Sequence, residues 1–262
     1  MKIGFLGAGA MGGAIINGIL NAGIINAEDV HIYDTSEKIC AKHAARGCKI
    51  CISSSELCKD VDMIVVAVKP QYASSALNGL EMSIEGKAVV SVMAGITTTR
   101  IREMIKSNIR VLRTMPNAPA FVSAGAFVLC DDTDFSCEER IFIEHLFNSI
   151  GTVEWMNENL IDTACGLSGS GPAFVALFIE ALADGGVLEG LPRLTAYHLA
   201  MQTVYGSAKM LLETDMHPGQ LKDMVSSPAG TTIIGCQVLE ERGFRAAAIN
   251  AVQAATRRSR EF

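Results

Sequence analysis

One short stretch limits what this chain can fold into more than any other. Lys2 to Leu6 reads as a brief apolar strand, and Gly7, Ala8, Gly9, Ala10, Met11 and Gly12 follow it as G-x-G-x-x-G. Ala14, Ile15, Ile16, Ile19 and Leu20 then recur at helical spacing, with Gly23 placed to end the helix. A second strand, Val30 to Tyr33, stops at Asp34, about twenty residues past the last glycine. Each part has a physical task in holding a dinucleotide. Gly7 makes the tight turn, Gly9 lets the backbone approach a pyrophosphate, and Gly12 lets helix and strand pack closely. The helix N-terminus has unpaired N–H groups and the positive end of the dipole, which suit phosphate. Asp34 can accept hydrogen bonds from a ribose diol. A carboxylate there disfavours a 2′-phosphate and tilts the choice toward NADH over NADPH, although Lys38 nearby offsets the repulsion.

Downstream of Asp34 the same alternation continues. Met63 to Val68, Ala88 to Val92, Arg110 to Arg113 and Ala124 to Leu129 read as strands, with helical patterns between several of them, as around Ile101 to Lys106. Ser136 to Glu139 is a capping box that opens a helix through Phe147, and Val153 to Met156 is a last short strand. Alternation of this kind predicts a mostly parallel sheet covered on both faces. After residue 154 the strand patterns vanish. Helices are expected near 160–189, 194–213, 218–226, 231–242 and 244–260. The chain therefore reads as α/β, with an N-terminal doubly wound, Rossmann-type sheet over 1–154. An all-α domain follows over 155–262.

In open sheets of this type ligands lie beyond the carboxyl ends of the strands. Three loops belong there: Val68-Lys69-Pro70-Gln71, Met93-Ala94-Gly95-Ile96-Thr97 and Met115-Pro116-Asn117-Ala118-Pro119. Val68, Lys69, Pro70, Ala94 and Asn117 are accordingly candidate cofactor contacts. Another small-residue loop, Gly166 to Ala173, reads as the approach to a helix starting near Pro172. The segment His217 to Ile234 is a Ser-, Gly-, Thr- and Pro-rich turn opening onto a helix N-terminus, a ready site for a small anion. His217, just before Pro218, is expected to cap or pack.

Composition narrows the partners. The net charge of −6 argues against nucleic acid or an anionic membrane. Arg257, Arg258 and Arg260 form a basic cluster, but they end the last helix, where cations complement the dipole. No apolar run approaches the roughly eighteen residues that cross a bilayer. The eight cysteines, without a secretory signal, point to a reduced, cytoplasmic setting. His43, Cys48, Cys51 and Cys58 match no standard zinc spacing and read as packed side chains, so no metal is expected. The helical half, rich in small apolar positions, is expected to associate as a homodimer or larger assembly.

These blocks together resemble one family. GAGAMG at 7–12, AVKPQ at 67–71, MAGIT at 93–97, RTMPNAPA at 113–120 and GLSGSGPAF at 166–174 are similar to segments of the pyrroline-5-carboxylate reductases. So are ADGGVLEGLPR at 183–193, HPGQLKDMVSSPAGTTI at 217–233 and GFRAAAINAV at 243–252. The resemblance implies NAD(P)H-dependent reduction of a small cyclic imine to L-proline, the last step of proline biosynthesis, by an intertwined dimer that assembles further. Carried over by motif, Ser227, Gly230, Thr231 and Thr232 would hold the substrate, its carboxylate at Ser227 and Thr232 near the ring nitrogen. Glu158 and Asp215 would lie near the pocket, and Ser54 beside the adenosine ribose. Asp215 stands where relatives often carry Glu, Met224 where some carry Asn, and Ser54 where many carry Asn.

The main competing class is β-hydroxyacid dehydrogenase chemistry, which resembles this layout but uses a lysine acid at the start of the helical half. After Gly169-Ser170-Gly171 the corresponding places hold Val175 and Ile179. Lys209, the other candidate, lies in mid-helix, where a solvated or paired state is expected. A cyclic imine is basic enough to need no strong acid, so a hydrogen-bonding threonine and good positioning suffice.

Overall fold

A computed structural model describes residues 1–78 and 80–261. Among them eight strands form one sheet: β1 (Ile3–Leu6), β2 (Val30–Tyr33), β3 (Lys49–Ile50), β4 (Met63–Val66), β5 (Ala88–Ser91), β6 (Arg110–Met115), β7 (Gly125–Cys130) and β8 (Gly151–Met156). Their order is β3-β2-β1-β4-β5-β6-β7-β8. The first six strands run parallel, and the direction of winding reverses between β1 and β4. That reversal is the switch point at which open sheets bind ligands.

The helices of this part are α1 (Ala10–Asn21), α2 (Glu37–Ala44), α3 (Ser54–Asp60), α4 (Ala73–Leu77), α5 (Glu81–Ile84), α6 (Thr98–Ile105), α7 (Cys137–Asn148) and α8 (Glu158–Ala164). Every residue of β1, β4 and β5 is buried, as strands covered on both faces require. Alternate residues feed two separate cores. Ile3, Phe5, Met63, Val65 and Val90 pack with Ile15 and Ile19 of α1 and Phe147 of α7. Leu6, Ile64, Val66 and Val89 pack on the other face with Leu57 of α3 and Ile101 and Ile105 of α6. The period of two in the strands thus sorts the apolar residues onto opposite sides.

One pairing departs from the parallel pattern: β7 runs antiparallel to β6. The connection between them, which holds a short 3-10 turn at Ala118–Val122, contains no helix that could carry a parallel crossover. β8 returns parallel to β7 after α7, whose capping box between Ser136 and Glu139 is formed as expected.

The remaining helices are α9 (Gly171–Leu188), α10 (Arg193–Thr214), α11 (Pro218–Met224), α12 (Thr231–Glu241) and α13 (Phe244–Ser259). The chain packs as two compact units, 1–170 with 254–262, and 171–253. This division differs from the change of pattern at residue 154, because Asp162 of α8 bonds both Arg113 of β6 and Ser259 at the end of α13. Within the helical unit only Ala183, Ala196 and Ala200 form a buried cluster, while Leu177, Leu188, Leu194 and Leu212 are exposed.

One sequence expectation needs correction here. Gly166 to Ala173 does not form a loop. A π-helical turn at Cys165–Gly169, closed by the Ser170 amide on the Cys165 carbonyl at 2.9 Å, carries α8 into α9. Small residues let that wide turn form without side-chain crowding. The resulting continuous helix, Glu158–Leu188, is long and apolar enough to cross a membrane by length and composition, with a mean hydropathy of 1.5 over its best window. The sequence runs there are interrupted by single polar residues, which is why no long apolar run stands out in the sequence.

Candidate active site

The glycine turn leads into α1 with the first amides of the helix unclaimed by a cap. Gly7 has φ +93°, and a Cβ at Gly12 would stand 2.4 Å from the Gly7 carbonyl oxygen, so close packing excludes a side chain there. A Cβ at Gly9 would meet nothing within 4 Å, which leaves its backbone open to a ligand. Gly9 caps α1 without a side-chain hydrogen bond, and no acidic residue occupies the first turn. This N-terminus suits the charge of a pyrophosphate.

Beside the turn lies a cavity of about 570 Å³. Gly7, Gly9, Asp34, Ser54, Val68 and Lys69 line it, bringing together the candidates from the glycine turn, the end of β2, the start of α3 and the loop after β4. Ala8, Ala10, Met11 and Gly12 belong to the same turn and helix start. Pro70 opens a 3-10 turn at Pro70–Tyr72. Tyr33, Thr35 and Tyr72 also line the cavity and were not singled out from sequence. Tyr72 is only two residues beyond Pro70, but nothing in its spacing distinguishes it from a surface aromatic.

Asp34 is already engaged. Its Oδ2 accepts the Ala8 amide at 2.8 Å and its Oδ1 accepts the Ser36 amide at 2.9 Å. Asn117 is engaged as well: its side-chain amide donates to the Ser168 carbonyl at 3.1 Å, and its oxygen accepts the Ala126 amide at 2.8 Å. It thereby links the end of β6, β7 and the π-helical turn. Ala94 lies in the loop between β5 and α6, next to Gly95 with φ +72°.

Glu158 sits in a polar cluster of the sheet unit. The amide and hydroxyl of Thr98 both donate to its Oε1, at 2.7 and 2.8 Å. Arg113, 3% exposed, reaches Glu158 at 3.5 Å and Asp162 at 2.8 Å, and the Ser259 hydroxyl donates to Asp162 at 2.9 Å. These contacts fasten α6, β6, α8 and the end of α13 together.

The substrate-loop candidates lie in the helical unit. The Gly230 amide donates to the Ser227 carbonyl at 3.0 Å, closing a turn in which Ala229 has φ +55°. A Cβ at Gly230 would stand 2.2 Å from the Ser227 hydroxyl oxygen, so a side chain there would displace that hydroxyl. Gly230 caps α12 with no side-chain bond, leaving the amides at Thr231 and Thr232 unclaimed by a cap. Ser227 and Thr231 are exposed and Thr232 is half-buried. Asp215 is an exposed residue that ends α10 with φ +52°. His217 does cap: its Nδ1 accepts the Gly219 amide at 3.0 Å. Lys209 is exposed and within 3.6 Å of Glu213 one turn on, as expected for a lysine without a chemical role.

Comparison with known proteins agrees with this layout. A family model described as pyrroline-5-carboxylate reductase dimerisation matches residues 158–262, and one described as NADP oxidoreductase coenzyme F420-dependent matches residues 2–95. The pyrroline-5-carboxylate reductase of Methanosarcina acetivorans is 44% identical over 100% of this chain and 97% of its own. The chain belongs to the pyrroline-5-carboxylate reductase family. The Escherichia coli enzyme of that name is 40% identical over 96% of this chain and 94% of its own. The structure of Plasmodium falciparum pyrroline carboxylate reductase, solved with NADP bound, superposes with a TM-score of 0.90 at 36% identity, covering 100% and 97% of the two chains.

Family membership makes the chain an NAD(P)-dependent oxidoreductase and accounts for its unfinished helical unit. A pyrroline-5-carboxylate reductase dimerisation model matches this segment, and its exposed leucines are apolar surface of the kind that association between copies covers.

A buried residue not chosen from sequence matters to the site. Arg113 was read only as part of a motif, and its burial between two carboxylates could not be foreseen from spacing. His43, read from the sequence as a packed side chain, is 1% exposed, and burial lowers its pKa. Among the described residues no group of three His, Cys, Asp or Glu side chains is placed to hold a metal ion. Cys51 and Cys58 are instead buried thiols, pushed up to about 11 chiefly by burial.

Proposed function

We propose that this chain reduces 1-pyrroline-5-carboxylate to L-proline with NAD(P)H, the final step of proline biosynthesis. The observation that carries the reading is whole-length kinship to proteins of that name, 44% identical over 100% of the chain. The glycine turn, its open amides and the adjoining cavity fit a dinucleotide, which when bound supplies a hydride to the C=N carbon. Gly7, Ala8, Gly9, Ala10, Met11, Gly12, Asp34, Ser54, Val68, Lys69, Pro70, Ala94 and Asn117 form its binding set. The carboxylate at Asp34 tilts the choice toward NADH, while the Plasmodium falciparum relative was solved with NADP bound.

Ser227 and the amides of Thr231 and Thr232 bind the substrate carboxylate at the N-terminus of α12, beside Gly230. Thr232 directs its hydroxyl to the ring nitrogen and orients the C=N bond. The imine is protonated near neutral pH, so the chain supplies no strong acid. Glu158, in the sheet unit, and Asp215, at the end of α10, are the further substrate candidates. Residues 155–262 act as the dimerisation and substrate segment of a homodimer that assembles further, in the cytoplasm.

Steady-state oxidation of NADH and of NADPH, each with and without pyrroline-5-carboxylate, tests the assignment. Imine-dependent oxidation is expected. Its absence with both cofactors, in protein that binds NADH, would turn the reading toward a nucleotide-binding protein without this reaction. Thr232→Ala is expected to lower turnover more than cofactor affinity, and equal loss of both would remove Thr232 from its role.

A further inference from the structure

Tyr72 is an exposed aromatic on the wall of the cofactor cavity. It ends the 3-10 turn Pro70–Tyr72 after β4 and is 58% exposed. The other large apolar residues of that wall are covered: Leu6 belongs to the core, and Tyr33, Ile39 and Val68 pack against it. Arg140 lies over the ring of Trp155 and Arg193 over that of Tyr197, but no such contact covers Tyr72 among the described residues.

An exposed aromatic alone needs no explanation. The backbone of this one, however, is held in place. Its N–H donates to the Lys69 carbonyl at 2.9 Å, and its carbonyl accepts the Ser75 hydroxyl at 2.9 Å. Ala73 and Leu77, in the helix that follows, are buried in the core. The ring is left to turn about its own two χ angles, so little entropy is lost when it is covered.

The remaining cavity walls suggest what covers it. Gly7 and Gly9 mark the pyrophosphate end of a dinucleotide and Asp34 marks its ribose. The base hangs from that ribose, away from the pyrophosphate. The walls left for it are Thr35 and Ile39 after β2, Ser54 of α3, and Tyr72, Ser75 and Ala76 after β4. None of these carries a charge. Hydroxyls and apolar surface suit a neutral, flat heterocycle and offer a 2′-phosphate no cation.

We propose that Tyr72 is the adenine platform of this site, its ring stacking on the base of the bound dinucleotide. This rests on the dinucleotide reading of the cavity and adds to it an affinity-determining residue outside the glycine turn. NADH and NADPH share the base, so the ring holds both alike, and the tilt between them stays with Asp34.

Calorimetric titration of the full chain with NADH and with ADP-ribose, without imine, tests this separately from turnover. Tyr72→Ala is expected to weaken both ligands by the same factor, on the order of five- to a hundredfold for the loss of one stacked base. Tyr72→Phe keeps the ring and is expected to bind both as the unaltered chain does. Tyr72→Leu keeps apolar bulk without an aromatic face and is expected to recover only part of the loss. An unchanged Kd in Tyr72→Ala would overturn the proposal. So would a loss for NADH that ADP-ribose does not share, which would set the ring against the nicotinamide half. Tyr72→Phe as weak as Tyr72→Ala would make the hydroxyl the contact, and full recovery in Tyr72→Leu would reduce the ring to apolar cover; either result overturns stacking. An unaltered chain that binds neither ligand would remove the dinucleotide reading and this proposal with it. Binding as expected with no imine-dependent oxidation would sink the reductase reading and leave this one standing.

Discussion

Arg113 offers the sharpest quantitative test of how the sheet unit is fastened. Its guanidinium is 3% exposed, and it faces Asp162 at 2.8 Å and Glu158 at 3.5 Å, themselves 18% and 25% exposed. Arg113→Met keeps an apolar stem but leaves two carboxylates without their cation. Breaking a buried pair in this way costs about 3–5 kcal/mol, and the partial exposure of both carboxylates places this case near about 3. For a unit of this size about 1 kcal/mol moves Tm by roughly 2–4 °C, so a drop of about 6–12 °C is expected in differential scanning calorimetry. Arg113→Met combined with Asp162→Leu should recover part of the loss, because one stranded charge is then removed and apolar groups meet instead. A drop below about 2 °C for the single variant, or no recovery in the double, would refute the reasoning. The network also separates two roles for Glu158. If its carboxylate chiefly caps the start of α6 through Thr98, Glu158→Gln lowers Tm with little change in substrate KM. A large rise in KM at unchanged Tm would instead place it against the substrate.

Geometry and burial give two more expected outcomes. Gly12→Ala forces a Cβ to 2.4 Å from the Gly7 carbonyl, so it is expected to abolish nucleotide binding by calorimetry even where some folded protein survives; wild-type affinity would contradict the close helix–turn packing. His31 and His43 are both 1% exposed and their pKa values are lowered, chiefly by burial. The unfolded chain therefore binds protons that the folded chain refuses once pH falls below 6.5, and folding stability declines from there downward while staying level above it. Urea midpoints at pH 7.5 and pH 5.5 measure this, and a His31→Gln, His43→Gln variant with an undiminished decline would show that other groups cause it.

The fold class was legible because two periodicities survive in the residues themselves. Ile3 and Phe5 against Leu6, and Met63 and Val65 against Ile64 and Val66, alternate between the two cores, and the parallel central strands read as short apolar runs. The glycine turn was legible because each of its residues meets a steric demand that few others satisfy. Elements set by tertiary contact were not. The antiparallel turn of β7 depends on the helix-free connection after Met115. The π-helical turn depends on Asn117 and Met115, which a local reading of Gly166 to Ala173 cannot include.

The helical unit shows the same limit from the other side. The stretch Glu158–Leu188 meets the length and hydropathy of a membrane span, yet only 6% of its most apolar window is buried. Exposed apolar surface of that size asks for a partner, lipid or protein. The neighbouring helices decide between them. α10, α12 and α13 also expose Leu199, Leu212, Val238 and Ile249, but they interleave them with Lys209, Glu213, Glu240 and Arg245. Paired charges on the same helices would be costly in hydrocarbon and are ordinary at the rim of a protein interface. The small core of Ala183, Ala196 and Ala200 lets α9 and α10 approach closely while their larger side chains point elsewhere. A second copy of the chain, presenting the same apolar stripes, completes the core that one copy leaves open, in keeping with the dimerisation family that spans residues 158–262.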